Sequence, residues 1–495
     1  MPTLLTVLDA GQDEDLALVI PGGISLTYRR LREEVWRGAE ALAARGIRRG
    51  DRVGLVYPNS AEAIVLFLAA ATAGTAAPLN PAYKVDEFQF YLEDTRARAL
   101  LVPPGQAAAA RQAAPPDAAV VEAAFDEHGT LRFPGGAESG GGVEPPGEDD
   151  VALVLHTSGT TSRPKMVPLR HRNLAASVAN IIPSYQLTSD DVSLCLMPLF
   201  HVHGLVASTL ATFGSGGTVV VPPKFSPFEL GSLVRERGVT WYSAVPTIHQ
   251  LVADRFARSR PEGLESLRFA RSCSSALAPD LMARLEDLLG VPVLEAYGMT
   301  EASHQMASNP LPPGDRRPGS VGRGTGVDVA VLDDQGEVLP AGAIGEVAVR
   351  GPNVMDGYEA NPAANSEAFA SGWFRTGDQG TIDEAGYVTL LGRIKELINR
   401  GGEKIAPREI DEVLRRHPAV AEAVTFGVPH PSWGEEVAAA VVLRSEVDKR
   451  ELTDFCRQYL ADYKVPRQLY FVTEIPRTAT GKVQRRHVAT AFTSS

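Results

Sequence analysis

The sequence predicts an α/β protein: a large N-terminal domain of parallel α/β sheets with a small β-subdomain, followed by a small α+β domain. Strand and helix patterns alternate at crossover spacing through roughly the first 300 residues, which implies parallel strands joined by helices. Over 320–392 the pattern changes to short strands between turn signals, the mark of a small β-subdomain. From about Arg393 a further stretch of about 100 residues mixes helix and strand patterns, a size that suits a separate domain. At 495 residues the chain exceeds what one hydrophobic core organises.

Taken in order, Thr27 to Leu42 carries apolar residues at helical spacing, and 51–57 reads as a short strand. Ala61–Ala73 is an apolar helix stopped by Gly74, and 76–80 is the next strand. Residues 103–149 become Ala-rich, then rich in Gly-Gly and Pro-Pro, and read as a surface connection with some local structure and no chemistry. A buried strand is expected at 151–155, and further strands at 193–197, 218–221, 240–244, 267–270 and 293–296. Helices such as 228–238 and Pro279–Leu289 separate them. The C-terminal ends of these strands carry polar or glycine-rich residues, and in open α/β sheets that edge binds ligands. Strands at 327–332 and Gly345–Arg350 flank a turn at 333–336. In the last segment Pro407 opens a helix with Ile410, Val413 and Leu414 on one face. Strands at 421–426 and 437–443 and a helix at 452–460 follow.

The net charge of −12 argues against nucleic acid as the main partner, because backbone-phosphate binding needs a basic face. No apolar run approaches the ~20 residues of a membrane span. The N-terminus lacks a basic flank and meets Asp9 early, so no signal peptide is expected, and the ending at Ser495 is not a peroxisomal address. Cys195, Cys273 and Cys456 lie far apart, fit a reducing compartment and form no metal cluster, so a cytoplasmic protein is expected.

The chemistry centres on Thr157, Ser158, Gly159, Thr160, Thr161 and Ser162, followed by Arg163, Pro164 and Lys165. Small hydroxyl residues around a glycine at a strand end let N–H and O–H groups wrap an anion, and the lysine adds charge. This describes a phosphate-binding loop, without the Gly-Lys-Ser/Thr of the Walker pattern. Four stretches follow it: Ala296-Tyr297-Gly298-Met299-Thr300-Glu301 after a strand; Thr376-Gly377-Asp378; Gly392-Arg393-Ile394-Lys395-Glu396 leading to Gly401-Gly402-Glu403-Lys404; and Thr480-Gly481-Lys482-Val483. Taken singly, Lys482 is an ordinary surface lysine, Asp378 a turn former and Glu301 a helix cap.

In this order and spacing the five stretches resemble the adenylate-forming acyl-CoA synthetase superfamily, which also includes luciferases and peptide-synthetase adenylation domains. The resemblance covers essentially the whole chain. It implies two half-reactions: a carboxylate attacks the α-phosphate of ATP to give an acyl-adenylate and pyrophosphate, then a thiol, usually coenzyme A, displaces AMP. ATP, Mg²⁺ and coenzyme A are the implied cofactor and co-substrates. The 157–165 loop would hold the departing phosphates, Thr300 the α-phosphate and Glu301 the Mg²⁺. Tyr297 would stack on adenine, and Ser275, Ala276, Glu295, Ala296 and Gly298 would complete the nucleotide site. Asp378 would accept from the ribose with Arg393 beside it, and Lys482 would bridge the carboxylate and the α-phosphate. The resemblance also implies domains 1–392 and 397–495 joined by a hinge at 393–396, with a pivot at Lys395 that makes the C-terminal domain mobile. Gly401, Gly402 and Glu403 would then line the pantetheine path. The family loop usually continues Lys-Gly, whereas here Lys165 is followed by Met166, and Ser162 replaces another glycine. Met166 is harmless to the loop if its φ is negative and a perturbation otherwise.

The stretches around His201, His203, Trp241, His249, Arg271 to Ala276, and Thr300 to His304 are most similar to the oxalate–CoA ligase subgroup. A fatty-acid tunnel would be apolar. This set instead brings histidines and serines together, and His203, His304, Ser272, Ser274 or Ser275 would supply donors to a second carboxylate. His201 is the family's gate between carboxylate and pantetheine, and His249 reads equally as a structural histidine. Oxalate, another short polar acid, and a medium-chain or aromatic acid remain open, as does loading of a carrier protein in place of coenzyme A.

Overall fold

The computed structural model describes residues 3–135, 142–157, 164–477, 483 and 485–493. They fall into two compact units, Met1–Asp328 with Arg350–Ala368, and Val329–Val349 with Phe369–Ser495.

Among the described residues, the first unit holds two large sheets. The core of the nine-stranded sheet is parallel: Leu16–Val19, Thr218–Val220, Val192–Cys195, Trp241–Ala244, Phe269–Ser272 and Val293–Met299. Its flanks are antiparallel, with Ser25–Thr27 on one side and His304–Ser308 and Arg323–Gly324 on the other. The six-stranded sheet runs Lys165–Arg170, Val151–Thr157, Thr75–Pro78, Arg52–Leu55, Ala99–Val102 and Ala119–Glu122. Only Lys165–Arg170 in it is antiparallel. Helix Ala61–Ala73 starts at Ser60, whose Oγ accepts from Ala63 N–H at 3.2 Å, and it is buried on nearly every side. That fits an apolar run with no polar face. Ala119–Glu122 and the small hairpin Ala124–Phe125/Leu131–Arg132 give 103–149 more structure than its composition signals. A neighbouring strand, not local propensity, stabilises them.

Alternation along the central strands decides which side chains reach the site. On one face Tyr242, Ala244 and Ala270 pack with Val252 and Phe256 of helix Pro246–Arg258 and with Leu285 and Leu289 of helix Pro279–Leu289. Trp241, Ser243, Phe269 and Arg271 share the opposite face, in register as Trp241 beside Phe269 and Ser243 beside Arg271. Tyr185, at the end of helix His171–Tyr185, stacks on Phe269 with ring centroids 5.2 Å apart, and Phe269 stacks on Trp241 at 5.4 Å.

The second unit combines two smaller sheets. One contains Asp328–Leu332, Gly345–Arg350, Trp373–Ile382, Phe369–Ala370 and Val388–Arg393. The other contains Glu403–Ile405, Ile398–Arg400, Gly434–Leu443, Val420–His430 and Gln468–Val472. Helices Pro407–Arg415 and Lys449–Arg457 cover the latter, burying Ile410, Leu414 and Leu452 against Ile405 and Val437. The β-rich segments 329–349 and 369–392, expected with the N-terminal domain, group here with the C-terminal residues.

Candidate active site

Two paired strands flank the loop expected to bind phosphate. Val151–Thr157 leads in, Lys165–Arg170 leads out, and Thr157 sits opposite Lys165 in the ladder. Ser158, Gly159, Thr160 and Thr161 lie outside the described residues. Lys165 Nζ stands 4.4 Å from the centroid of the Tyr358 ring, a cation–π contact. The Tyr358 hydroxyl donates to Glu301 Oε1 at 2.9 Å, and Met355 N–H donates to the Glu301 carbonyl at 2.8 Å. One tyrosine therefore ties the loop's lysine to the acidic residue of the next motif. No sequence motif points to Tyr358; its role depends on the chain returning to the site at 350–368. Met166 is buried in an extended strand and is not among the residues with positive φ, so its own backbone is unstrained.

Thr300, Glu301 and Ala302 form one buried 3₁₀ turn at the end of Val293–Met299. Tyr297 and Ala296 are buried on that strand. At Gly298 the backbone passes so close to its neighbour that a Cβ would lie 2.1 Å from the His304 carbonyl oxygen; only glycine fits. Glu295 Oε1 accepts from Leu277 N–H at 3.0 Å, which fastens the turn carrying Ser275 and Ala276 to this strand. Ser275 is exposed and Ala276 half-buried.

Beside these lies a buried polar cluster. Arg271 is fully buried, and its five N–H bonds point at five neutral acceptors. Nε donates to Tyr185 Oη at 2.7 Å. Nη1 donates to Ser243 Oγ at 2.9 Å and faces His203 Nε2 at 3.4 Å. Nη2 donates to Gln305 Oε1 at 3.0 Å and faces His304 Nδ1 at 3.4 Å. Among the described residues no carboxylate pairs with it. The His203 and His304 rings lie 5.1 Å apart. Burial, then the Arg271 charge, holds both imidazoles well below their ordinary pKa, so both are neutral. His203 Nδ1 lies 3.1 Å from Ser274 Oγ, and His203 N–H donates to His201 Nδ1 at 3.2 Å. Ser274, Ser303 and His304 have φ values of 72°, 52° and 104°, backbone strain of the kind that collects at functional sites.

The structure thus brings His201, His203, Ser274 and His304 together. Ser272 faces the other side of its strand, and its buried Oγ has no partner among the described residues. His249 accepts the structural reading: its Nε2 bonds the Arg271 carbonyl at 3.1 Å, and burial lowers its pKa to about 4. The central residue, Arg271, was visible in the sequence only as part of a motif. Its signal was a charged residue directly after the strand expected at 267–270, which the structure extends to Ser272.

On the second unit, Arg393 Nε contacts Asp378 Oδ1 at 2.7 Å across the ladder that pairs Trp373–Ile382 with Val388–Arg393. Arg393 Nη1 also donates to the Thr376 carbonyl at 3.2 Å. Lys395 is exposed within the turn Ile394–Glu396. Gly401 and Gly402, with φ of 61° and 93°, make the two-residue turn joining Ile398–Arg400 to Glu403–Ile405, and Glu403 is exposed beside them. Lys482 lies outside the described residues.

The match to known proteins agrees with this fold. Residues 9–359 match the model of the AMP-binding enzyme family, and 409–482 match that of the AMP-binding enzyme C-terminal domain. The chain belongs to the AMP-binding enzyme family and is an AMP-forming acyl-CoA synthetase. Within that class it is similar to an oxalate–CoA ligase of Arabidopsis thaliana, 47% identical over 96% of this chain and 95% of that protein. It is also similar to an oxalate–CoA ligase of Saccharomyces cerevisiae, 45% identical over 90% of this chain and 88% of that protein. The crystal structure of ATP-bound MatB from Rhodopseudomonas palustris superposes with a TM-score of 0.91 at 34% identity, covering 100% of this chain and 99% of that one.

Proposed function

We propose that this chain is an ATP-dependent oxalate–CoA ligase. The observation that carries the reading is Arg271, a buried cation without a carboxylate partner at the C-terminal edge of the sheet. An unneutralised buried charge is costly. An acid with a second anionic group would neutralise it; a fatty or aromatic acid would not.

In the reaction, an oxalate oxygen attacks the α-phosphorus of ATP, the bond to the β-phosphate oxygen breaks and pyrophosphate leaves. The thiol of coenzyme A then attacks the acyl carbon, loses its proton, and AMP departs. The 157–165 loop with Lys165 would hold the leaving phosphates, and Thr300 would donate to the α-phosphate. Tyr297, Ala296, Gly298, Ser275, Ala276 and Glu295 would form the base site, and Asp378 with Arg393 the ribose site. Lys482 would bridge the two reacting anions, which must be held in line against their repulsion. Glu301 suits Mg²⁺: among the described residues no cluster of three His, Cys, Asp or Glu side chains could hold a metal alone, and Mg²⁺ takes one or two carboxylates plus phosphate oxygens. Bound there with ATP, the ion would offset phosphate charge, while the Tyr358 hydroxyl keeps the Glu301 rotamer in place.

Domains 1–392 and 397–495 would act as the working halves about a hinge at 393–396. The exposed Lys395 turn between two short strands supports this pivot, and Gly401, Gly402 and Glu403 would line the pantetheine path. We place the protein in the cytoplasm, in keeping with its three unpaired cysteines, all buried; no helix of the described residues is long and apolar enough to cross a membrane. Pyrophosphate release with ATP, Mg²⁺ and coenzyme A tests the reading across oxalate, malonate, acetate, octanoate and 4-coumarate. Oxalate is expected to give the highest kcat/KM; preference for octanoate or 4-coumarate would overturn the assignment.

A further inference from the structure

All five N–H groups of Arg271 are already engaged, so the guanidinium has no donor left for an acid. Its influence must pass through its neighbours, and the hydrogen-bond directions show how. Ser243 Oγ accepts from Arg271 Nη1, so its own proton points to His203 Nε2, 2.6 Å away. With Ser243 and Arg271 both directed at Nε2, the His203 proton resides on Nδ1 and is donated to Ser274 Oγ. Ser274 is half-buried, so the network reaches the accessible surface there, and its own hydroxyl proton is not taken by His203. Likewise Arg271 Nη2 faces His304 Nδ1, which places the His304 proton on Nε2.

We propose that Arg271 is a positioning residue for specificity: it fixes the tautomers of His203 and His304, so that Ser274 and His304 present donors to the second anionic group of the acid. The charge stays one layer behind the contact. The guanidinium thus attracts the anion without fixing it in a bidentate pair, which suits a substrate that must leave as a thioester. This inference rests on the proposed acid–CoA ligase reading of the same site.

The test compares kcat/KM for oxalate and acetate in the full-length enzyme and in Arg271→Gln, His304→Gln and Ser274→Ala. Arg271→Gln is expected to lower the oxalate-to-acetate ratio on the order of 100-fold, and Ser274→Ala on the order of tenfold. A purely structural role would depress both acids alike and leave the ratio unchanged, which overturns the proposal. A second readout is the pH profile. Removing the cation lifts one of the causes that depress His203 and His304, with His201, His249, Tyr185 and Cys273 the other titratable groups about them. Arg271→Gln should therefore recover part of its oxalate ratio as pH falls, because a newly protonated histidine restores the charge; a flat profile in that variant counts against the mechanism. If Arg271→Gln does not fold, the Ser274→Ala and His304→Gln ratios decide alone. Wild-type preference for malonate or another acid with a distal anion would overturn the oxalate assignment and leave this inference standing; preference for acetate would remove both.

Discussion

Two arginines in this molecule, Arg271 buried and Arg485 half-buried, are held in opposite ways. Arg485, in the second unit, meets two carboxylates, Glu396 at 3.1 Å and Asp411 at 2.9 Å, and donates to the Thr425 carbonyl at 2.6 Å. Arg271, in the first, meets only neutral acceptors. Both are satisfied as hydrogen-bond donors, but only Arg485 is neutralised as a charge. A neutralised cation organises its own domain: Arg485 joins helix Pro407–Arg415 and strand Val420–His430 to the turn Ile394–Glu396. In the proposed reading, an unneutralised one marks a place where charge arrives from outside. Hydrogen-bond satisfaction and charge balance are separate conditions.

The comparison extends to a third cation. Lys482 should meet its opposite charge chiefly in the transition state, so Lys482→Ala is expected to lower pyrophosphate release by about 10³-fold while leaving thermal stability unchanged. A loss below tenfold would remove it from the proposed machinery. The two arginines should then reverse order in a stability measurement. Arg485→Met leaves Asp411 and Glu396 without their cation and is expected to cost about 3 kcal/mol in urea unfolding of the second unit. Arg271→Met strands only neutral groups and should cost about 1–2 kcal/mol. If Arg271→Met proves the more destabilising, the distinction between the two arginines fails.

Acid separates the units next. His171, His203, His249 and His304 are buried in the first unit, and burial pushes the first and third down from 6.5 to about 4 and the other two well below 6.5. The unfolded chain binds protons at these sites before the folded one does. Their contribution is therefore whole above pH 6.5 and lost as pH falls towards 4, at about 1.4 kcal/mol per pH unit for each histidine. Thermal melts from pH 7.5 to 4.5 should show the first unit's transition moving down; a transition that stays put would mean these imidazoles are not neutral when folded. Asp378→Ala probes a cation with one shared carboxylate: KM for ATP is expected to rise on the order of tenfold, with kcat for saturating ATP less affected. The smallest effect belongs to Met166→Gly. With Met166 in an extended strand, glycine relieves no strain, and activity should stay within about twofold; a large gain would mean the loop is strained after all.

Most of the fold was legible because period and punctuation are local properties. The apolar run at Ala61–Ala73 and the helix Pro279–Leu289 begin and end where their residues dictate. The antiparallel edge His304–Ser308 was not legible, since its pairing with Val293–Met299 depends on a turn at Thr300–Ala302 that reads as a motif and not as a hairpin. The same limit applies at the site. Motif order placed Lys165, Thr300, Glu301, Asp378 and Arg393 by resemblance, but Tyr358 comes from a distant segment and carries no local pattern.

What the sequence alone determined is the class: five short stretches in fixed order, on an alternating strand–helix background, are enough to place the chain among adenylate-forming ligases. What only the tertiary structure decided is the surroundings of Arg271. Arg271 and Ser272 are adjacent in the chain, yet the strand's alternation sends the first into a ring of neutral acceptors and the second to the opposite face. Whether a charged side chain is balanced depends on what the other strands and helices bring to it, and that is a property of packing that no local pattern records.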